Sequence, residues 1–418
     1  MNYPLIVSRS HHPVSRKNIH SNALKVLYRL HRLGFKSYLV GGCVRDFLLG
    51  KTPKDFDVAT NATPGQIRRV FNNCVLVGRR FRVALIRFRD NHIVEVSTLR
   101  RNPDLPPDGT LLLKRDNTYG TEEEDALRRD LTINGLFYDI ATFSIIDYVG
   151  GIKDLQNRII QTIGDPNIRF REDPVRMIRA CRHAARTGFV IHPNTRDALE
   201  RLSKEILLAS PNRILEEMLQ DLRGGYSRST FNLWMDTGLM KTIFPGMDRF
   251  IRSTGHAASV FWRALELLDE LRQRQVELPV SVLLSTLSGP VILDAMEQES
   301  SGDTGQLIKR VLEDLFTWVR PTRSDFGKIN QMMVMVRRMM RSLQREPMPS
   351  KFKKRQEIDH ALLLCEIFAR SRNMIPEGDM CVDNTQRWKL LGEKFLRPVR
   401  KKSRRRALYR RRRGRSSS

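Results

Sequence analysis

Apolar positions three and four apart run through NALKVLYRLHRL, residues 22–33, and predict a helix that Ser21 caps and Gly34 ends. Ahead of it, residues 1–20 carry no period and are expected to be unstructured. The pattern then shortens. SYLVGG at residues 37–42 reads as a strand running into a glycine turn, and CVLVG, FRVALIRF and HIVEVST are short β-branched runs of strand type. Between them, Thr63 and Pro64 form a cap and first-turn proline for a helix through PGQIRRVF. Residues 100–119, RRNPDLPPDGTLLLKRDNTY, are broken by Pro, Asp and Gly and are expected to form a mobile loop.

Past Gly151 the period becomes helical throughout. REDPVRMIRACRHAARTGF carries Asp173 as a cap, Pro174 in the first turn and Gly188 as the stop. ILEEMLQDL, FWRALELLDELRQ, QLIKRVLEDLFTWV, INQMMVMVRRMMRSL and HALLLCEIFARS continue it to about residue 396. The expected class is therefore α+β. A mixed α/β head spans residues 21–150, and helical segments at 151–225 and 226–395 follow a flexible start at 1–20. Residues 396–418 have almost nothing to bury and are expected to be disordered.

Charge changes the picture more than composition does. With 73 Lys and Arg against 46 Asp and Glu, the net +27 points to a polyanionic partner such as nucleic acid or an acidic membrane. The final stretch from Arg397 holds 12 basic residues and no acidic one, so the rest of the chain is basic too. No stretch reads as a membrane span of roughly 20 apolar residues, and the first residues lack the apolar core of a secretory signal. Five cysteines, Cys43, Cys74, Cys181, Cys365 and Cys381, form no CxxC pair, which argues against a disulfide framework or structural zinc. A reducing cytoplasm fits best.

Four short motifs carry candidate chemistry. LVGGCVRD sets Gly41 and Gly42 between a strand and a short helix, where missing side chains let backbone N–H groups approach a phosphate; a structural turn is the plainer alternative. In KDFDVAT, Asp55 and Asp57 sit two apart, so in a strand they share a face and repel unless a cation neutralises them. Such a pair also occurs as edge-strand charge. With a phosphate cradle upstream, however, the pair suits an enzyme handling a metal-bound triphosphate. Glu95 in HIVEVST is the candidate third acid, because Val94 and Val96 would face the core. RRDLTINGLFYD places Arg128 and Arg129 beside Asp130 and Asn134, groups suited to triphosphate oxygens and a ribose hydroxyl. EDPVRMIRA places Glu172 and Asp173 ahead of Arg176 and Arg179. There Asp173 either caps the helix or, with Arg176, presents an acceptor and donors to a base edge.

In order and spacing, LVGGCVRD, KDFDVAT, RRDLTIN and REDPVRMIRA resemble the class II branch of the polymerase-β nucleotidyltransferase superfamily, which contains poly(A) polymerases and CCA-adding tRNA nucleotidyltransferases. The resemblance runs from about Val14 to Gly225 and more loosely beyond. VSRKNIHSNALKVLYRL, the GRRFR run in LVGRRFRVALIRF and the arginine-rich tail are similar to the polyadenylating members. Cys43 and Gly135 stand where relatives often carry another small residue. The resemblance implies a nucleotidyltransferase head, then helical neck and body domains that bind RNA. It implies template-independent addition of AMP from ATP to RNA 3′ ends, with CCA addition as the nearest alternative and a noncatalytic RNA-binding protein as a rival of another class. It further implies Asp55 and Asp57 as metal-binding catalytic residues, with Asp130 or Glu95 completing the set. Gly41, Gly42, Arg45, Arg128, Arg129, Asn134, Asp173, Arg176 and Arg179 would line the nucleotide site. Mg²⁺ is the implied ion with Mn²⁺ as an alternative, and the implied partners are RNA 3′ ends, ATP and RNA-degradation or RNA-chaperone proteins.

Removing residues 397–418 should weaken RNA binding and flatten its salt dependence while sparing residual nucleotide addition. A tail engaging about eight phosphates contributes a log–log slope near −7, and one phosphate only about −0.9. A slope unchanged by the truncation would refute the tail's role.

Overall fold

The computed structural model describes residues 4–78, 82–101, 118–253, 255–299, 302–344, 357–381 and 383–395. Two compact units divide the chain: Met1–Asp221 with Ser229–Ile243, and Leu222–Arg228 with Phe244–Ser418.

The first unit is built on a mixed eight-stranded sheet. In chain order its strands are β1 (Leu5–Val7), β2 (Ser37–Val40), β3 (Asp57–Thr60), β4 (Cys74–Val77), β5 (Val83–Arg87), β6 (Ile93–Thr98), β7 (Leu136–Asp139) and β8 (Ile145–Asp147). They lie in the order β1-β8-β7-β2-β3-β6-β5-β4, and of these neighbours β3 and β6 pair in parallel. A parallel pair needs a crossover, and α3 (Pro64–Val70) with the β4–β5 hairpin supplies it. Thr63 and Gln66 close a reciprocal capping box at the start of α3, as the Thr-Pro signal predicts. Tyr38, Val40, Ala59, Leu99, Ala126 and Phe137 form one core cluster on this sheet, with Ile146, Tyr148 and Val149 packed against it.

Helices α1 (Ser21–Arg32), α2 (Gly42–Leu48) and α4 (Glu122–Leu127) belong to the same layer system. After them come α5 (Gly151–Asn157), β9 (Ile159–Ile160), α6 (Pro166–Glu172), α7 (Arg176–Thr187), β10 (Val190–Ile191), α8 (Pro193–Leu202), α9 (Pro211–Arg223), α10 (Ser227–Asp236) and α11 (Leu239–Ile243). The second unit is helical: α12 (Pro245–Ser253), α13 (Gly255–Gln273), α14 (Val280–Gln298), α15 (Thr304–Leu315), α16 (Arg323–Gln344), α17 (Ile358–Ser371) and α18 (Asn384–Phe395). Met332, Met333, Met335 and Met339 of α16 are buried, so the methionine-rich run is mainly core.

Four expectations are corrected. Residues 4–20 are ordered: β1 pairs antiparallel with β8, and Val14 and Ile19 are buried, because three residues suffice to cover the sheet's edge. His20, not Ser21, caps α1, its Nδ1 accepting from the Asn22 N–H. Asp173 does not cap α7, whose N-cap is Val175; it terminates α6, while Gly188 at φ 73° does end α7. Among the described residues one helix, α14, is long and apolar enough to cross a membrane by length and composition. Most of its residues are buried within the second unit, so its apolarity serves that core. The proline-rich segment at 102–117, most of the GRRFR run and the tail from 396 lie outside the described residues.

One glycine pins the site's framework. A Cβ on Gly151 would stand 2.2 Å from the carbonyl oxygen of Thr132, in the turn that carries Asn134. Backbone cannot yield cheaply there. Gly151→Ala is expected to lower stability by about 1–3 kcal/mol, read as a drop in the first unit's thermal midpoint.

Candidate functional site

The two aspartates of KDFDVAT sit at the mouth of the parallel β3–β6 pair. Asp57 opens β3 and stands in register with Glu95 of β6; Asp55 lies just before the strand, and all three are exposed. Paired residues on parallel strands point to one face, so the carboxylates of Asp57 and Glu95 are neighbours. Crowding has a measurable effect. Loss of hydration raises the Asp57 carboxyl to about 6, Glu95 and Asp55 add like-charge repulsion, and Arg129 opposes them. The Glu95 carboxyl is raised for the same reasons, burial first and Asp55 second.

Arg129 reaches this corner beside the Gly41 turn. Gly41, at φ 71°, starts α2 directly after β2, and a Cβ there would lie 3.4 Å from Arg129 Nη1. Asp125, one turn back, accepts from Arg129 Nη2 at 2.9 Å and from Arg128 Nη2 at 2.9 Å. The Arg129 guanidinium also lies over the Phe137 ring, 5.1 Å from its centroid. Both arginines of RRD are thus clamped by one buried acid.

Asp130 does not join the strand acids. It is buried, and Arg179 Nη2 holds its Oδ2 at 2.6 Å while the Leu131 N–H donates to Oδ1 at 2.8 Å. Although burial opposes ionisation, Arg179 and its neighbours hold the carboxyl below the usual range. Asn134 and Arg45 extend this network. Arg45, 1% exposed, donates Nη1 to Asn134 Oδ1 at 2.7 Å and Nη2 to Asp46 Oδ1 at 2.8 Å. Asn134 Nδ2 lies 3.4 Å from Asp130 Oδ1, and the two ring nitrogens of His183 lie 3.3 Å from Arg45 Nη1 and Asn134 Nδ2. Burial and the adjacent Arg45 keep His183 well below its ordinary pKa, hence neutral.

Farther along, Asp173 and Arg176 have separate partners. Arg213 grips Asp173 with both nitrogens, at 2.6 and 2.9 Å. Arg176 Nη1 donates to Glu172 Oε2 at 2.9 Å, and Arg169 Nη1 shares that oxygen at 2.5 Å. Arg169 and Arg176 also donate to the Arg128 carbonyl, at 2.6 and 3.2 Å, which ties α6 and α7 to the RRD segment.

Known proteins match along this same stretch. Residues 37–161 match the poly A polymerase head domain, and residues 188–251 the probable RNA and SrmB-binding site of polymerase A. A poly(A) polymerase I of Escherichia coli O6:H1 is 48% identical over 258 residues, 60% of this chain and 55% of that protein. One from Haemophilus influenzae is 40% identical over 276 residues, 63% of this chain and 61% of that protein. Over this stretch the chain is similar to poly(A) polymerases and tRNA nucleotidyltransferases. Its matches span little more than half the length of these relatives. A CCA-adding enzyme of Bacillus pumilus is 36% identical over 230 residues, 55% of this chain and 56% of that protein. The fold agrees with a solved CCA-adding enzyme in its second apo form, at TM-score 0.62 and 18% identity over 96% of this chain and 89% of that one.

The residues at the strand mouth fit a divalent cation as a partial shell. Asp55, Asp57 and Glu95 offer only carboxylate oxygens, the donors that hard cations take, and their mutual repulsion is what such a charge would relieve. Among the described residues no three His, Cys, Asp or Glu groups converge as a finished metal site. Substrate phosphates would complete the coordination.

Sequence reasoning missed Asp125, Glu172 as the partner of Arg176, Arg169, Arg213 and His183. Asp125 was within reach, since it precedes Arg128 and Arg129 by three and four residues on one helix face. Glu172 stands four before Arg176 in the same way. Nothing local announces His183 or Arg213, which arrive from other helices.

The raised Asp57 pKa gives a signed prediction. Between the ordinary 3.8 and about 6 the folded protein binds the proton more tightly than the unfolded chain, so stability falls as pH rises through that window. With divalent ions chelated at neutral pH, Asp57→Asn should be more stable than the parent by about 1 kcal/mol, after discounting for solvent screening. The difference should vanish near pH 4. Thermal midpoints of both proteins across that pH range measure it.

Proposed function

We propose that this chain is a template-independent nucleotidyltransferase that adds AMP from ATP to RNA 3′ ends and releases pyrophosphate, a cytoplasmic poly(A) polymerase acting in mRNA polyadenylation and RNA turnover. The observation that carries the reading is the acid cluster of Asp57, Glu95 and Asp55 beside Arg129 and the Gly41 turn, within a family whose polyadenylating members are 40–48% identical.

In this reading Asp55, Asp57 and Glu95 hold divalent cations, Mg²⁺ or Mn²⁺, which when bound neutralise the triphosphate and favour ionisation of the attacking hydroxyl. The chain's own groups do the positioning. Arg129, fixed by Asp125 and Phe137, presents its guanidinium to phosphate oxygens at the Gly41 turn, where no side chain blocks approach. Asp130 and Arg179 act as a pair that supports Asn134, whose amide oxygen Arg45 holds and whose nitrogen lies against Asp130 and His183. Asp173, gripped by Arg213, and Arg176, held by Glu172, would offer acceptor and donor edges that select adenine without a template. The RNA 3′ oxygen forms a bond to the α-phosphorus, the bond to the pyrophosphate oxygen breaks, and the hydroxyl proton passes to solvent. Catalysis of this in-line displacement is positioning and charge neutralisation.

The helical segments at 151–225 and 226–395 would bind RNA as neck and body. A CCA-adding activity is the second reading, favoured by the 36% identity to the Bacillus pumilus enzyme. The two are separated by offering each NTP in turn to an RNA primer and to tRNA lacking its terminus. AMP addition from ATP alone is expected, and CTP incorporation would overturn it. Asp55→Asn and Asp57→Asn should each lower AMP addition by about 10²–10³-fold or more while sparing RNA binding. Retained activity means the metal assignment is wrong.

A further inference from the structure

The second unit contains a cleft whose charge is unbalanced. Leu293, Met296 and Glu297 of α14, Arg337, Met340 and Arg341 of α16, and Arg372 and Met374 just past α17 line a cavity of about 270 Å³. Three guanidiniums thus face one carboxylate, and Glu297 is already paired with Arg372. Arg337 and Arg341 stand one helical turn apart, a like-charge spacing that disfavours both. The consequence appears at Arg337, whose pKa is lowered by burial and then by Arg341.

Each arginine keeps unused donor capacity. Arg337 donates Nη1 to Thr304 Oγ1 at 2.5 Å and Nη2 to the Met296 carbonyl at 3.0 Å, which fixes the guanidinium without neutralising it. Arg372 engages Glu297 through Nη1, yet its Nε–H is buried with no hydrogen-bond partner. A buried orphan donor costs free energy unless a ligand satisfies it. Arg341 is exposed and has no ion-pair or hydrogen-bond partner among the described residues. Between these charges, the Leu293, Met296, Met340 and Met374 side chains form an apolar wall of adaptable shape.

Guanidiniums around an apolar slot match one nucleotide: an anionic phosphodiester for the arginines and a flat base for the thioethers. We propose that this cleft binds one nucleotide of single-stranded RNA, away from the carboxylate site. Naming RNA as the ligand rests on the function proposed above; the demand for an anion rests on the cleft alone. A free nucleoside monophosphate or inorganic phosphate shares the phosphate chemistry, and the test separates them.

Binding of a short labelled oligoadenylate to the full chain is measured by fluorescence anisotropy across a salt series without ATP. Arg341→Gln removes a group with no partner among the described residues and should weaken binding about tenfold. It should also flatten the log–log salt slope by about 0.7, while Arg341→Lys should recover most of both. Glu297→Gln removes the cleft's one acid and should tighten binding severalfold, a direction that misfolding does not produce. Equal affinity and slope for Arg341→Gln and the parent overturn the proposal, as does weaker binding by Glu297→Gln. If AMP or inorganic phosphate binds the parent and not Arg341→Gln, while both bind oligoadenylate alike, the cleft is a small-anion site and the RNA assignment falls. A chain that adds no AMP yet shows the expected differences loses the proposed activity and keeps this site.

Discussion

Two carboxylates on adjacent parallel strands repel one another, and the head is arranged around that repulsion. The registration of Asp57 with Glu95 follows from the β3–β6 pairing, which the rest of the sheet enforces on both sides. Neither acid can relax away without breaking the ladder. A cation at the mouth of this strand pair would relieve that cost; the Asp57 carboxyl is raised by burial first and by Glu95 second.

Behind the acids, buried ion pairs do a different job. Asp125 holds Arg128 and Arg129, Asp130 holds Arg179, and Glu172 holds Arg169 and Arg176. Buried pairs are poor sources of net stability, because desolvation offsets their attraction. Their value here is orientation: Arg128, Arg129, Arg169 and Arg176 are each fixed to an acid three or four residues away, and Arg179 reaches Asp130 across 49 residues of sequence. Arg45 shows the principle best, joining α2 to Asn134 while His183 stays neutral against it. A charged imidazole at that point would set two cations in contact.

The same contrast of satisfied and unsatisfied charge separates features of the helical unit. Buried Glu366 accepts from Arg370 at 3.1 Å, from Arg387 at 3.0 Å and from the Cys381 N–H at 3.0 Å, and so locks α17 to α18. Both of its oxygens are engaged within the protein. The cleft of Arg337, Arg341 and Arg372 is the opposite case, with an orphan Arg372 donor and, among the described residues, no partner for Arg341. Unfilled hydrogen-bonding capacity beside an apolar wall distinguishes a binding surface from a structural network.

Residue order alone determined what depends on near neighbours. The strand periods, the Thr63–Gln66 cap, the helical second half and the pairing of glycine turn with acid-rich strand were all readable, because period and capping act within about four residues. Tertiary structure decided which acid stands with Asp57. The strand pattern pointed to Glu95 and the family resemblance to Asp130; strand register sets Glu95 beside Asp57, while Arg179, from a later helix, pairs with Asp130. It also decided the partners of Asp173 and Asn134, since Arg213 and Arg45 lie 40 and 89 residues away in sequence. Hydrogen bonds between such distant groups are set by how layers pack, a property no local window of sequence contains.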